Sequence, residues 1–341
     1  MTKKTKNDKI LLAHGGGGQL TDDLIRRHIL PSLDNKILTE MGDSARLDLA
    51  SGALCFTTDS YVVKPLFFRG GDIGKLAVCG TVNDLAVAGS RPVALTLSLI
   101  IEDGFEMELL DRILTRIGQT ARQCDVDIVS GDTKTVEAGA ADKIFINTAG
   151  IGVRLPGVDL GFKKIAAGDQ ILINGSIGDH GITIISQRED ITFQTQLKSD
   201  CAALSKLTCK LLQNVGGIKF MRDPTRGGVA ATLNEISISS GLSLEIREID
   251  LPIKPAVQAA ADMLGFDVLT IANEGKFIAV VSPDSAEECL NICRNDPLGK
   301  EAKVIGRVVE PRDVPLVELE TRIGGKRIVQ MPYGRELPRI C

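Results

Sequence analysis

Two kinds of hydrophobic spacing alternate along this chain, and their alternation restricts the fold more than any single motif does. Residues 54 to 58, 92 to 101, 126 to 130 and 143 to 153 are short β-branched or apolar runs bounded by Gly, Asp or Pro, the pattern of strands. Between them, Asp72 to Gly89 carries Ile73, Leu76, Ala77, Gly80 and Val87, and Met107 to Cys124 carries Leu110, Ile113, Leu114, Ile117 and Ala121. That three-to-four spacing predicts helices packed on one face. From 154 to 169 (RLPGVDLGFKKIAAGD) both periods vanish and Pro, Gly and Lys gather, as in a connection between domains. The mixture then resumes, with strands at 171 to 175, 242 to 249, 277 to 282 and 302 to 310 and helices near 202 to 213, 226 to 240, 255 to 264 and 285 to 294. The expected fold is α/β, mixed α+β, in two domains, 11–155 and 165–331, after a flexible start (1–10) and before a mobile arm (332–341). A length of 341 residues suits two domains, at about 150 residues each.

Charge and composition exclude several function classes. Forty Lys and Arg stand against 44 Asp and Glu, so a net charge of −4 gives no broad attraction to nucleic acid or anionic lipid. Aromatic residues are 4% and Trp is absent, which removes a stacking platform or membrane-interface belt. The basic start is followed only by the short apolar run Ile10 to Ala13, so no secretion signal is expected, and the most hydrophobic helical region, Ile73 to Ala88, carries Lys75, Asn83 and Asp84, so no spanning helix is expected. Eight irregularly spaced cysteines, mostly in apolar runs, read as reduced thiols of a cytoplasmic protein.

Chemistry-bearing residues sit at the ends of these elements. A P-loop fails, because Arg69-Gly-Gly-Asp-Ile-Gly-Lys-Leu76 lacks the first Gly and the hydroxyl that holds magnesium. His14-Gly-Gly-Gly-Gly18 precedes a helix and reads either as a phosphate-facing lid or as a plain turn. Asp59 closes a strand, where open α/β sheets bind ligands or where an acid caps a turn. Asp84 shares a helical stripe with Ile73, Ala77 and Gly80, so its carboxylate needs a metal, hydrogen bonds or a cationic partner. Ser130-Gly-Asp-Thr-Lys134 offers an acid, a hydroxyl and an ammonium, suited to magnesium and phosphate or to a simple Asx-turn. Asp223-Pro-Thr-Arg-Gly-Gly228 opens a helix at which Arg226 favours an anion and Asp223 a cation. Asn273-Glu-Gly-Lys276 is either functional or an ordinary turn, Gly178-Asp-His-Gly181 reads as structural, and Cys289 with Cys293 reads as a core pair short of zinc ligands. Cys341 differs: its polar, proline-broken segment reads as an arm that leaves the thiol exposed, with Arg339 favouring the thiolate, unless the cysteine is incidental.

Taken together, His14 with its glycines, Thr57-Thr-Asp-Ser-Tyr61, Gly71-Asp-Ile-Gly-Lys-Leu-Ala77, Asn83-Asp84, Ser130 to Lys134, Asp223 to Gly228, Asn273 to Lys276 and Pro338-Arg-Ile-Cys341 closely resemble the HypE family of hydrogenase maturation proteins. The acids and glycines are shared with the wider ATP-binding superfamily of aminoimidazole ribonucleotide synthetase, thiamine monophosphate kinase and selenophosphate synthetase, whereas the Pro-Arg-Ile-Cys ending is specific. The resemblance implies the two-domain fold of that superfamily and a homodimer whose N-terminal domains form a shared β-barrel with ATP beside it. It implies ATP and Mg2+, with Asp59, Asp72, Asp84, Asp132 and Asp223 as metal ligands. Around the nucleotide it implies His14, Gly15, Gly16, Lys64, Asn83, Gly131, Thr133, Thr225, Arg226, Gly227 and Gly228. It further implies that a HypF-type carbamoyltransferase loads Cys341, and that Lys134 and Glu274 flank the carbamoyl group while ATP-dependent dehydration makes it a thiocyanate. The cyano group would then pass to iron in a HypC and HypD complex, as a ligand of the nickel-iron hydrogenase site. Two readings compete: a superfamily kinase or synthetase acting on a diffusible small molecule, and a metal-carrying scaffold.

Overall fold

A strand with one apolar face and a helix with one apolar stripe bury both by layering, and the chain does this twice. The structure, a computed structural model, describes residues 9–15, 19–33, 35–39, 52–188, 197–311, 313–332 and 339–341. A short 3-10 turn (Leu12–Gly15) leads to α1 (Gln19–Leu24), a π turn (Ile25–Ile29), α2 (Leu30–Leu33) and α3 (Lys36–Thr39). Then come β1 (Leu54–Tyr61), the small hairpin β2 (Phe67–Phe68) and β3 (Gly71–Asp72), α4 (Ile73–Val87), β4 (Ser90–Glu102), α5 (Met107–Gln123), β5 (Asp127–Val136) and β6 (Ile144–Arg154). The four long strands make one sheet in the order β1-β6-β4-β5, antiparallel except for the parallel pair β4 and β5. Helices α4 and α5 cover one face and build a core with Leu76, Leu110, Ile113, Leu97 and Ile146. The opposite face stays open: Leu54, Phe56 and Ile100 lie exposed on it, Phe56 at 71%.

The second half holds β7 (Gln170–Ile173), α6 (Asp179–Arg188), α7 (Ser205–Asn214), β8 (Ile218–Arg222), α8 (Gly228–Ser240), β9 (Ser243–Arg247), α9 (Pro255–Leu264), β10 (Ile278–Val281), α10 (Ala286–Arg294), β11 (Lys303–Val309), β12 (Val317–Glu320) and β13 (Lys326–Ile328). Its seven strands run in the order β13-β12-β9-β11-β7-β10-β8. One face packs on α6, α8 and α9 and the other on α7 and α10. Strands β7 and β10, covered on both faces, are accordingly unbroken apolar runs. Helix α4 is buried almost all round, because α7 of the second half packs against it as well as α5 and the first sheet. That contact places the C-terminal end of α4, with Asn83 and Asp84, at the junction of the two halves. Among the described residues no helix is long and apolar enough to cross a membrane, and all eight cysteines are free thiols.

Candidate functional site

Four acids from distant parts of the chain meet at this junction. Asp59 points to the helix-covered side of β1, and Asp84, one helical layer above, accepts a 2.8 Å hydrogen bond from Thr57 Oγ1. Burial raises the Asp84 carboxyl above its ordinary value, and the charge of Asp59 raises it further against Thr57, Arg222 and Arg226. Asp223, in the turn before α8, is pushed up to about 7 by burial and by the charges of Asp84 and Asp59. Glu274 is 3% exposed, and its Oε1 has no hydrogen-bond partner among the described residues. Burial lifts its carboxyl well above the ordinary value, and Cys201, Asp200, Asp223 and Asp59 add to the lift. Carboxylates that raise one another in this way suit a cation, which would relieve their repulsion. Among the described residues, however, no three His, Cys, Asp or Glu side chains stand close enough to form a ready-made cage.

Residues around the acids are fixed by backbone geometry. Gly227 and Gly228 take positive φ values of 75° and 59°, and a Cβ at Gly228 would lie 2.5 Å from the Ile271 carbonyl oxygen, so only glycine lets the start of α8 approach the 271–274 loop. Asp200 accepts from the backbone N–H groups of Glu274 (3.2 Å) and Gly275 (3.3 Å) and pairs with Lys276 at 3.0 Å. Burial alone would raise Asp200; the Lys276 ammonium and the Glu274 backbone N–H outweigh it and hold the carboxyl below its usual range. Nothing in the spacing around Ser199-Asp200-Cys201 marked Asp200 in the sequence.

The last three residues lie in this site. The sequence predicts a projecting, exposed thiol; instead Ile340 is 4% exposed and packs in the first core with Ile184 and Ala272. Val62 N–H donates to the Cys341 main-chain oxygen (3.1 Å), Lys64 N–H to the Arg339 carbonyl (3.2 Å), and Arg188 Nη2 to the same carbonyl (2.7 Å). Arg339, at a φ of 53°, donates through Nε to Val62 O and through Nη1 to Asp142 at 2.5 Å. Burial pushes the Cys341 thiol up, and Glu274, Asp59 and Asp223 reinforce the effect against Arg226. The expectation that Arg339 favours the thiolate is therefore corrected: its guanidinium is spent on Asp142, and the seated thiol holds its proton.

Several expected ligands have other occupations. Asp72 caps α4, accepting from Lys75 N–H, and pairs with Arg116. It stands 12 residues before Asp84 on this helix, roughly 18 Å away. Lys64 pairs with Asp142 beside the Arg339 seat. Asn83 spends its side chain on the backbone, donating to Ala202 O (3.0 Å) and Glu274 O (3.3 Å) and accepting from Leu204 N–H (2.8 Å). Asp132, Thr133 and Lys134 lie on β5 at the other edge of the sheet, with Lys134 Nζ 3.1 Å from Asp132. Gly131 presses against β4, where a Cβ would meet Leu97 O at 2.3 Å. The turn carrying His14 and Gly15 packs on the same strand, since Thr135 Oγ1 donates to Leu12 O at 2.6 Å; Gly16 lies outside the described residues. Thr225 accepts the Gly228 N–H, and Arg226 is exposed at the rim of the acid cluster. One copy of the chain thus holds the expected residues in two separate groups: acids with Cys341 at the β1 edge, and the glycine turn with Asp132 and Lys134 at the β5 edge.

A fold of two α/β halves with acids at their junction defines a class, the AIR synthase related proteins, and the sequence matches both of its parts: the N-terminal domain over residues 41–154 and the C-terminal domain over 166–317. Within that class the chain belongs to the HypE family. It is 47% identical to the carbamoyl dehydratase HypE of Bradyrhizobium diazoefficiens, covering 98% of this chain and 97% of that one. It is 45% identical to its Escherichia coli counterpart, covering 98% and 100%. Among solved structures, a HypE in complex with ATP superposes with a TM-score of 0.94 at 44% identity, over 97% of this chain and 99% of that one. The HypE of a HypE–HypF complex does so with 0.80 at 46% identity, over 92% and 100%.

Proposed function

We propose that this chain is the ATP-dependent carbamoyl dehydratase of hydrogenase maturation, acting on a carbamoyl group carried by its own Cys341. The observation that carries the reading is the seating of the Cys341 segment beside the acids: its main-chain oxygen is held by Val62 N–H, three residues after Asp59, and Ile340 packs in one core with Ala272, two residues before Glu274. Relatives named carbamoyl dehydratase and a family structure with ATP support it. The reaction balances as S-carbamoyl cysteine plus ATP giving cysteine thiocyanate, ADP, phosphate and a proton: the carbamoyl oxygen, a poor leaving group, departs as phosphate once it has taken the γ-phosphoryl group. Asp59, Asp84 and Asp223 would hold Mg2+, which supplies charge compensation where phosphoryl oxygens gather. Arg226 and the start of α8 favour the same anion. Nitrogen must lose two protons, and Glu274, with an unpartnered oxygen and an affinity for protons raised by burial, is suited to take one.

The raised thiol implies that loading and dehydration use different positions of the Cys341 segment. A protonated thiol is a weak nucleophile, so Cys341 accepts its carbamoyl group away from this seat, on a HypF-type partner, and returns to be dehydrated. The HypE–HypF complex of a relative supports that partner, and the cyano group then passes to a HypC and HypD complex.

Lys134 reaches the reaction from a second copy in this reading. Asp59 pairs with Thr148, Thr148 with Leu97 and Leu97 with Gly131, three strand spacings or about 14 Å. Lys134 pairs with Ile100 and shares its open face. A second copy closing on that apolar face as a shared barrel would bring one group to the other. The test of the whole reading is intact mass: incubation with the carbamoyl donor system should add a carbamoyl group, and MgATP should then remove one water. Cys341→Ala should acquire neither change, and normal loading of that variant would refute the carrier assignment.

A further inference from the structure

His180 belongs to Gly178-Asp-His-Gly181, a motif that neither the metal nor the nucleotide reading uses. It is wholly buried in the first turn of α6, with its ring edge-on to Phe68. Its Nε2 lies 2.7 Å from the Ile340 carbonyl oxygen and its Nδ1 2.8 Å from Ser199 Oγ. A carbonyl oxygen only accepts, so Nε2 carries the hydrogen. Ser199 Oγ already accepts the Cys201 N–H at 3.1 Å, which leaves its own hydrogen to donate to Nδ1. The surroundings therefore specify one neutral tautomer, and burial, which lowers the proton affinity of the ring against the pull of Asp200, keeps it neutral. Gly181 admits the close approach of this turn: a Cβ there would lie 2.4 Å from Ile271 Cγ2 and 3.4 Å from Ile340 Cδ1.

We propose that His180 is the latch of the Cys341 segment, a positioning residue that fixes the peptide preceding Cys341 and thereby limits where its sulfur can reach. The proposal rests on the dehydratase reading for its purpose and on geometry for its substance. With Ile340 O held by His180 and the Cys341 main-chain oxygen held by Val62 N–H, the backbone of Cys341 is pinned on both sides and only its side-chain torsion remains free. The latch is also wired to the acid. Ser199, which sets the tautomer, adjoins Asp200, whose carboxylate holds the backbone N–H groups of Glu274 and Gly275.

The experiment is alkylation of the full chain by iodoacetamide, followed peptide by peptide by mass, with the half-buried Cys55 and Cys209 as internal controls. His180→Leu should raise the Cys341 rate about tenfold, as expected for loss of one buried hydrogen bond, with the two control thiols unchanged. His180→Gln, whose amide N–H reaches the Nε2 position, should restore most of the protection. Because position 180 is wholly buried, Ser199→Ala serves as a second variant: it leaves the ring in place but releases the tautomer, and should give a smaller rise. A parental Cys341 rate in either folded variant overturns the latch, and so does an equal rise at Cys55 and Cys209, which would mean general loosening. Dehydration by the carbamoylated His180→Leu protein should slow by a similar factor. A parent protein that loads but never dehydrates would refute the function reading while leaving the alkylation result standing.

Discussion

Glu274 and Asp72 are both acids with almost no exposed surface, and what separates them is the company of their oxygens. Asp72 is satisfied by Lys75 N–H and Arg116, whereas Glu274 keeps Oε1 unpartnered among other acids. A buried polar atom left without a partner costs stability and persists where function uses it. Glu274→Gln and Lys134→Ala should therefore accept the carbamoyl group yet dehydrate it about 100- to 10,000-fold more slowly, with the carbamoylated mass accumulating in MgATP; rapid conversion by both variants would remove them from the chemistry. Asp223 carries a stability signature of its own. Its folded value of about 7 lies above the ordinary Asp value of 3.8, so the folded state binds the proton more tightly and stability falls as pH rises between those values. Asp223→Asn without metal should consequently melt above the parent at pH 8, with the difference closing toward pH 4. A Tm difference independent of pH would mean that the carboxyl carries no such strain.

Helix α4 joins the two roles an acid takes in this fold. Its first turn is capped by Asp72 and its last turn carries Asn83 and Asp84 to the junction. Asp72→Ala should cost about 0.5–2 kcal/mol as a lost cap, measured by urea unfolding, with turnover of the folded protein retained. Asp84→Asn should do the reverse, losing turnover by orders of magnitude with little loss of stability. Equal loss of turnover in both would return Asp72 to the ligand set. The alternation of spacings made most elements legible, α4 included, because a sheet and its helices demand those periods. Other elements were not legible: β8, β12 and β13 are short strands in which charged side chains interrupt the apolar run, β2, β3, α2 and α3 are too short to show a period, and α6 opens in Gly178-Asp-His-Gly181, which looks like a turn. Asp84 and Asp223 stand out in the sequence because an acid on an apolar stripe or before a helix demands a reason; Asp59, read as closing its strand, lies inside β1, which continues to Tyr61, and the spacing around Glu274 fits an ordinary turn equally well, so that only the family resemblance singles it out. The seat of Ile340 was not legible. It is assembled from Ile184, Ala272 and His180, which no local pattern connects to the last residues.

At the scale of the whole molecule the open face of the first sheet and the split between the two groups of residues are one problem. An apolar strand face bearing Phe56 at 71% exposure is a liability for a lone subunit, and in the proposed dimer a second copy would cover it with the same residues. Phe56→Glu should shift the protein toward monomer in sedimentation, and turnover should fall with the dimer fraction. A sharper test uses two dead variants. When Lys134→Ala and Glu274→Gln proteins are mixed and allowed to exchange subunits, half of the dimers are mixed. If each site takes Lys134 from one copy and Glu274 from the other, every mixed dimer contains one site with both parental residues, and the mixture should recover about a quarter of the parental rate. If both residues serve within one copy, each subunit of every dimer carries a lesion and the mixture stays as inactive as its components. The rate of water loss from carbamoylated Cys341 in the mixture therefore decides whether the dimer completes the site or only shields an apolar face.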